Sequence, residues 1–262
     1  MDILIYTFVA IIGLCVGSFL NVVIYRVPEG MSLSFPASHC PKCDYKLHWY
    51  DNIPILSYLI LGGKCRKCHE PISIRYTLVE IANMVLWLVS AILFWKDTTE
   101  SIIYACTVMI ICSVLICIFF IDLEHMLIFN RFTISILVLG IIIMLLDNNT
   151  SIFDHVIGGV SGTLVFLGLY FGCILVLKKE GFGFGDVKLV AAAGLMLGWQ
   201  RLILAILIAS VLGSIVLFVI KYVKKDENGK EYPFAPFIVV GILTSLLYGM
   251  PLITWYLDLI LG

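Results

Sequence analysis

Long apolar runs dominate the chain, separated by short polar joints. Uncharged stretches near 3–24, 78–95, 101–121, 132–146, 156–177, 187–199, 202–220 and 234–261 each predict a helix in an apolar medium. A full bilayer crossing takes roughly 20 residues. The runs at 132–146 and 187–199 fall short of that, and the second is the weaker of the two. The expectation is an all-α polytopic membrane protein with about eight transmembrane helices, or seven if the run at 187–199 does not cross. Only residues 25–77 form a long hydrophilic segment, rich in Cys, Pro, Lys and Arg. The predicted division is therefore a first transmembrane helix at 1–24, a cytoplasmic loop domain at 25–77 and a transmembrane bundle at 78–262.

Composition agrees with the pattern. The chain of 262 residues is 61% hydrophobic and 13% charged, with a mean hydropathy of +1.06; soluble domains run near 45–50% and about 25%. A net charge of −1 argues against a general nucleic-acid binder. The first run, MDILIYTFVAIIGLCVG, lacks the basic start and small-residue cleavage site of a secretory signal, so it is expected to stay as a span. Gly13 with Gly17, Gly158 with Gly162 and Gly168 with Gly172 have the small-xxx-small spacing that lets helices approach closely in lipid.

Charge orients the chain. The joints 25–77, 122–131, 178–188 and 221–233 together hold 15 of the 17 Lys and Arg residues, leaving Lys96 and Arg201 for the other side. By the positive-inside rule the basic side is cytoplasmic. With eight spans both termini lie outside. Asp122 and Asp186 then share the cytoplasmic face.

Nine cysteines occur. Cys15, Cys106, Cys112, Cys117 and Cys173 lie in apolar spans and are expected to be small buried hydrophobes. The others form two knuckles, 40-CPKC-43 and 65-CRKC-68, with 21 residues between them. That is slightly beyond the usual spacing of a four-thiolate zinc site. Lys42, Lys64, Arg66 and Lys67 would offset the thiolate charge, and the metal would supply folding energy to a loop with little apolar surface. Disulfides are disfavoured in a reducing compartment, and a redox pair would need a thioredoxin-like unit that the pattern lacks. His39, His48 and His69 lie nearby as substitute ligands, although four cysteines suffice.

Asp122 ends the run at 101–121, and Asp186 follows the glycine-rich 181-GFGFG-185. Each has a plain reading: Asp186 as the N-cap of a helix from Val187, Asp122 as an interfacial carboxylate. Paired, they read differently. Two carboxylates in one site hold a single proton between them. One can then act as base on water while the other polarises a peptide carbonyl. Gly183 and Gly185 would allow unwound backbone beside Asp186, admitting an extended substrate. Lys188 is either a substrate- or dyad-supporting group or a lysine snorkelling at a helix start. Glu124 and His125, beside Asp122, are alternative acid–base groups or solvated loop residues. Asn21 and Arg26 close the first helix, Arg26 as an interfacial anchor. Glu80 and Asn83 share a helix face, which points to a lined cavity or to interhelical hydrogen bonds.

Gly183-Phe184-Gly185-Asp186 resembles the GxGD signature of intramembrane aspartic proteases. The longer GFGDVKL, with 17-GSFLNVVIYRVP-28, 39-HCPKC-43, 49-WYDNIPILSYLILGGKCRKC-68 and 71-PISIRYTLVE-80, is similar to the type IV prepilin peptidases over nearly the whole chain. The resemblance implies a membrane aspartic endopeptidase that cuts the basic leader from prepilins and pseudopilins after a glycine. Asp122 and Asp186 match its catalytic pair. It also implies N-methylation of the new terminus with S-adenosylmethionine, an activity that accompanies the cysteine-bearing loop. No residue pattern marks a methyl-donor site, and the oligomeric state is not legible. One departure stands out: the family has Ile-Pro before Asp or Asn after the first aspartate, and here the run is Ile128-Phe129-Asn130. Two other classes compete: a proton- or ion-coupled transporter using the aspartates as a relay, for which no paired half-repeats are visible, and a methyltransferase-only or adaptor member. A basic leader would prefer acidic partners such as Glu29, Asp44, Asp51, Glu70, Glu180, Asp226, Glu227 and Glu231, but basic residues in the same loops are at least as many.

Overall fold

A computed structural model describes residues 2–148, 150–177, 183–224 and 232–262. Among them every extended apolar run is helical and no strand occurs. Two isolated antiparallel bridges, His39 with Lys46 and Lys64 with Pro71, are the only extended pairings among the described residues. The chain forms two compact units, Met1–Trp95 and Lys96–Gly262.

The first unit holds α1 (Asp2–Arg26), a single 3-10 turn at Trp49–Asn52, the short α2 (Leu56–Ile60) and α3 (Arg75–Phe94). Helices α1 and α3 pack along the glycine edge that the sequence marks. A Cβ on Gly17 would stand 2.8 Å from the Glu80 Cα, and one on Gly13 would stand 3.1 Å from the Met84 Cα. Asn83 donates across the same seam to the Gly13 carbonyl at 2.8 Å, so its polarity serves helix pairing.

The second unit holds α4 (Thr99–His125), α5 (Asn130–Leu146), α6 (Ile152–Leu177), α7 (Phe184–Leu197), α8 (Trp199–Lys224) and α9 (Ala235–Leu261). Among the described residues six helices are long and apolar enough to cross a membrane: α1, α3, α4, α6, α8 and α9; α5 is a shorter apolar helix. Helix α7, at 14 residues, spans only about 21 Å against a hydrocarbon core of about 30 Å. Burial within the unit adds to its apolar character, since Val187, Leu189, Val190, Ala193, Met196 and Leu197 are all buried. It packs against α5, α6, α8 and α9. It is a core helix inside the unit, apolar on nearly every face because protein surrounds it.

Of the glycine pairs, Gly158 and Gly162 meet α7 and the start of α8 as expected, with Gly158 set directly against Gly194. Gly168 and Gly172 do not follow the expectation: a Cβ on either would have no described atom within 4 Å. Among the span cysteines Cys112 and Cys117 are buried, Cys106 and Cys173 are intermediate and Cys15 is exposed. Cys15 therefore departs from the expected buried hydrophobe, because it lines a cavity beside α1.

Arg201, read from sequence as a loop cation, is instead buried. Its guanidinium pairs with Asp147 at 2.5 Å and bonds Thr150 at 3.0 Å. Its Nε donates to the Leu197 carbonyl at 2.6 Å. This ties the end of α5 to the turn between α7 and α8.

Candidate active site

Helix α4 ends at His125, where Met126 turns left-handed (φ 53°) and donates its amide to the Asp122 carbonyl at 2.9 Å. That stop leaves Asp122 in the last turn, buried at 5% exposure. The Ala235 amide at the start of α9 donates to its carboxylate. Its Oδ2 is buried with no hydrogen-bond partner. A buried carboxylate oxygen left without a donor is costly unless a proton, water or substrate completes it.

Asp186 is buried at 6% exposure and stands within electrostatic reach of Asp122. Helix α7 starts at Phe184 with Gly183 as N-cap. Asp186 is thus three residues inside the helix, a correction to its reading as the cap. Its Oδ2 reaches back to accept the Gly183 amide at 3.1 Å, the reciprocal half of a capping box. One oxygen is committed to the helix start, which fixes the orientation of the carboxyl group.

Of the two glycines beside Asp186, Gly183 is extended (φ −70°, ψ 141°), and the other departs from expectation. Gly185 is helical and not unwound. A Cβ there would sit 2.9 Å from the Ile128 Cβ, so glycine lets α7 close onto the segment that follows Asp122. Gly181 and Phe182 lie outside the described residues. Lys188 donates to Asn130 Oδ1 at 2.8 Å and lies 4.8 Å over the Phe184 ring, linking the starts of α5 and α7. Glu124 and His125 are exposed, in keeping with solvated positions. Phe129 has φ −76° and ψ 136°, a conformation that proline also adopts. The loop keeps the backbone that the usual proline would impose.

The described part of this site therefore comprises the two carboxylates, the Gly183 and Ala235 amides and the Lys188–Asn130 link. The Ala235 amide was not foreseen; Pro236 at the helix start is its only cue in the sequence.

The first unit carries a second cluster. Cys40, Cys43, Cys65 and Cys68 place all four sulfurs within 4.8 Å of one another, with Cys40 Sγ 3.8 Å from Cys68 Sγ. Four sulfurs about 2.3 Å from one ion stand about 3.8 Å apart, so the donor set fits a tetrahedral metal. The two knuckles repeat each other. Cys40 and Cys65 donate their amides to Tyr45 and Glu70, both at 2.9 Å, and accept those of Asp44 and His69 at 2.9 and 3.0 Å. Asp44 and His69 are both left-handed, with φ 55° and 57°. The Cys68 and Lys67 amides lower the Cys65 thiol to about 7, while, against the Glu70 amide, burial and the neighbouring thiols push that of Cys68 up, so the first metal-binding thiolate forms at Cys65. The nearby histidines stay outside the cluster. Asp51 is buried, accepting from Arg66 at 2.8 Å and from the His48 amide at 3.1 Å. It braces the second knuckle and is not free to meet a basic leader. Glu180, Asp226, Glu227 and Glu231 lie outside the described residues.

Residues 11–94 match the bacterial peptidase A24 N-terminal domain, and residues 109–218 match the type IV leader peptidase family. The prepilin leader peptidase/N-methyltransferase of Aeromonas salmonicida (strain A449) is 34% identical, over 98% of this chain and 95% of that protein. The proteins of the same name from Stutzerimonas stutzeri and Pseudomonas aeruginosa are 35% and 33% identical, each over 95% of this chain and 92% of theirs. No solved structure matches. Full-length similarity at this level, with both family matches in order along the chain, makes it a member of the type IV leader peptidase family.

Proposed function

We propose that the chain is a membrane aspartic endopeptidase that removes the leader of prepilin-like substrates, and that it also N-methylates the new terminus. The observation that carries the peptidase reading is the juxtaposition of Asp122 and Asp186, two buried carboxylates of which Asp186 feels the charge of Asp122. The pair shares one proton. The ionised member takes a proton from water, and the oxygen attacks the peptide carbonyl, which the protonated member polarises. The tetrahedral intermediate collapses as the leaving amine receives a proton. The Gly183 and Ala235 amides hold the two carboxylates in place for these transfers.

The four-cysteine cluster is read as a structural zinc site, because four thiolates at tetrahedral spacing suit Zn(II). Bound there, the metal supplies folding energy to the loop and takes no part in proteolysis. The basic joints support a cytoplasmic position for the aspartate pair, where a basic leader remains after membrane insertion of its hydrophobic segment. We read the 78–262 bundle expected from the sequence as divided after α3: the zinc-bearing loop at 25–77 belongs with α1 and α3 in the first unit, Met1–Trp95, and the peptidase bundle is the second, Lys96–Gly262. Nothing observed favours the transporter or adaptor readings.

The test is to incubate the purified protein with a prepilin, with and without S-adenosylmethionine, and to read the product N-terminus by mass spectrometry. Leader loss in both samples, with one added methyl only when the donor is present, is the expected result. An intact prepilin in both would reject the peptidase reading.

A further inference from the structure

The first unit carries a half-open cavity of about 670 Å³, within the range of small-molecule sites, about 300–1,000 Å³. It forms where the last turns of α1 meet the first turns of α3, and the cysteine-bearing loop lines its remaining wall. Three polar groups in that wall lack the partners their chemistry asks for.

Arg26 is 5% exposed. Its guanidinium donates only to neutral carbonyls, those of Ser32, Leu33 and Pro36 at 2.9, 3.3 and 2.6 Å. Among the described residues no carboxylate offsets its charge, and a buried guanidinium without one is costly until an anion arrives.

Glu80 is 7% exposed. It accepts the Ile55 amide at 2.8 Å and a hydrogen bond from Ser18, both neutral donors, and among the described residues no cation pairs with it. Ile55 is left-handed (φ 62°), a conformation that β-branched residues avoid, so the buried carboxylate pins a strained rim. Asn21, 5% exposed, turns its Nδ2 to the Gly17 and Tyr76 carbonyls at 3.4 and 3.0 Å. That fixes the amide orientation and leaves Oδ1 buried with no donor. One cavity thus offers a cation that lacks an anion and two acceptors that lack a cationic donor.

We propose that this cavity is the methyl-transfer site, with Arg26 receiving the carboxylate of an amino-acid-bearing sulfonium donor and Glu80 with Asn21 receiving the α-amino group to be methylated. The assignment rests on the methyl-transfer half of the function proposed above. The α-ammonium group gives a proton to Glu80, which passes it to water. The nitrogen lone pair forms the bond to the methyl carbon as the carbon–sulfur bond breaks. That bond's electron pair stays on sulfur, leaving a neutral thioether. Asn21 Oδ1 orients the amine without itself changing protonation.

Glu80→Gln keeps an acceptor for the Ile55 amide and removes only the charge, so it tests the role without removing the brace. Two peptides with the mature N-terminal sequence, one with a free amine and one N-acetylated, serve as binding probes for the full chain in detergent. In Glu80→Gln the free-amine peptide should bind about tenfold or more weakly, the loss of a charge-assisted bond, and the acetylated peptide should bind as before. Methylation should fall by about a hundredfold or more, and prepilin cleavage should stay at the wild-type rate. Val22→Trp, which fills the cavity and spares Glu80, should abolish calorimetric binding of S-adenosylhomocysteine and leave cleavage intact. Wild-type methylation by Glu80→Gln, or undiminished S-adenosylhomocysteine binding by Val22→Trp, would overturn the assignment. A wild-type protein that cleaves but neither binds S-adenosylhomocysteine nor methylates would overturn both this site and the methyl-transfer reading. Glu80-dependent methylation by a wild-type protein that cannot cleave would support the site and reject the peptidase reading alone.

Discussion

At the scale of single residues, Gly185 sets how closely α7 can approach the segment after Asp122. An alanine there would put a Cβ 2.9 Å from that of Ile128, and relief has to come from backbone movement. Overpacking of this kind costs about 1–3 kcal/mol. Gly185→Ala is therefore expected to lower prepilin cleavage by about tenfold or more through displaced carboxylates, although alanine favours the helix by propensity. Wild-type cleavage rates in that variant would show that the close approach does not matter. Chemistry-bearing residues were the most legible part of the sequence. The two aspartates and four cysteines stood out because carboxylates at span ends and paired thiols are expensive to place without a use. The partners that orient them were not legible. Gly183 was marked as a supporting glycine, but that its backbone amide bonds Asp186 was not legible, and Pro236 was the one cue to the Ala235 amide. Asn21 and Arg26 were visible as polar residues closing a helix, but only folding shows that Asn21 Oδ1 lacks a donor and that Arg26 meets carbonyls alone.

At the scale of elements, helix existence followed from apolar run length and was readable throughout. The role of a helix was less so. The run at 187–199 is a weak span by length, and hydropathy does not tell that it is enclosed by α5, α6, α8 and α9. Arg201 misled for a related reason: a charge next to an apolar run reads as a loop residue, yet it is buried against Asp147 at 2.5 Å. Removing one partner of a buried pair strands the other, at about 3–5 kcal/mol. Arg201→Met should lower thermal stability by that order, and Asp147→Asn combined with it should cost less than the sum of the two single changes. Additive losses would show that the pair is not coupled. The knuckles make a separate prediction for the 25–77 loop. If its fold depends on metal, the purified protein contains one zinc per chain. Cys40→Ser or Cys65→Ser should then lose the metal and open the loop to limited proteolysis. A metal-free wild-type protein with a protease-resistant loop would contradict this.

At the scale of the whole molecule, the basic joints, the helix bundle and the family matches describe one kind of protein. The all-helical membrane architecture was legible because composition and run length suffice for it. The division into Met1–Trp95 and Lys96–Gly262 was not, since it depends on which helices pack together. The function proposed here stands on one chemical claim, that Asp122 and Asp186 form a single proton-sharing pair. The most direct test is the initial rate of prepilin cleavage by Asp122→Asn and Asp186→Asn, with each variant shown to be folded by its thermal transition. Asparagine preserves size and hydrogen-bond acceptance but cannot exchange the proton. Each variant should lose at least about a hundredfold in rate, and the double variant should lose no more than the worse single one, because the two act as a unit. Cleavage within a fewfold of wild type in either single variant would contradict the account.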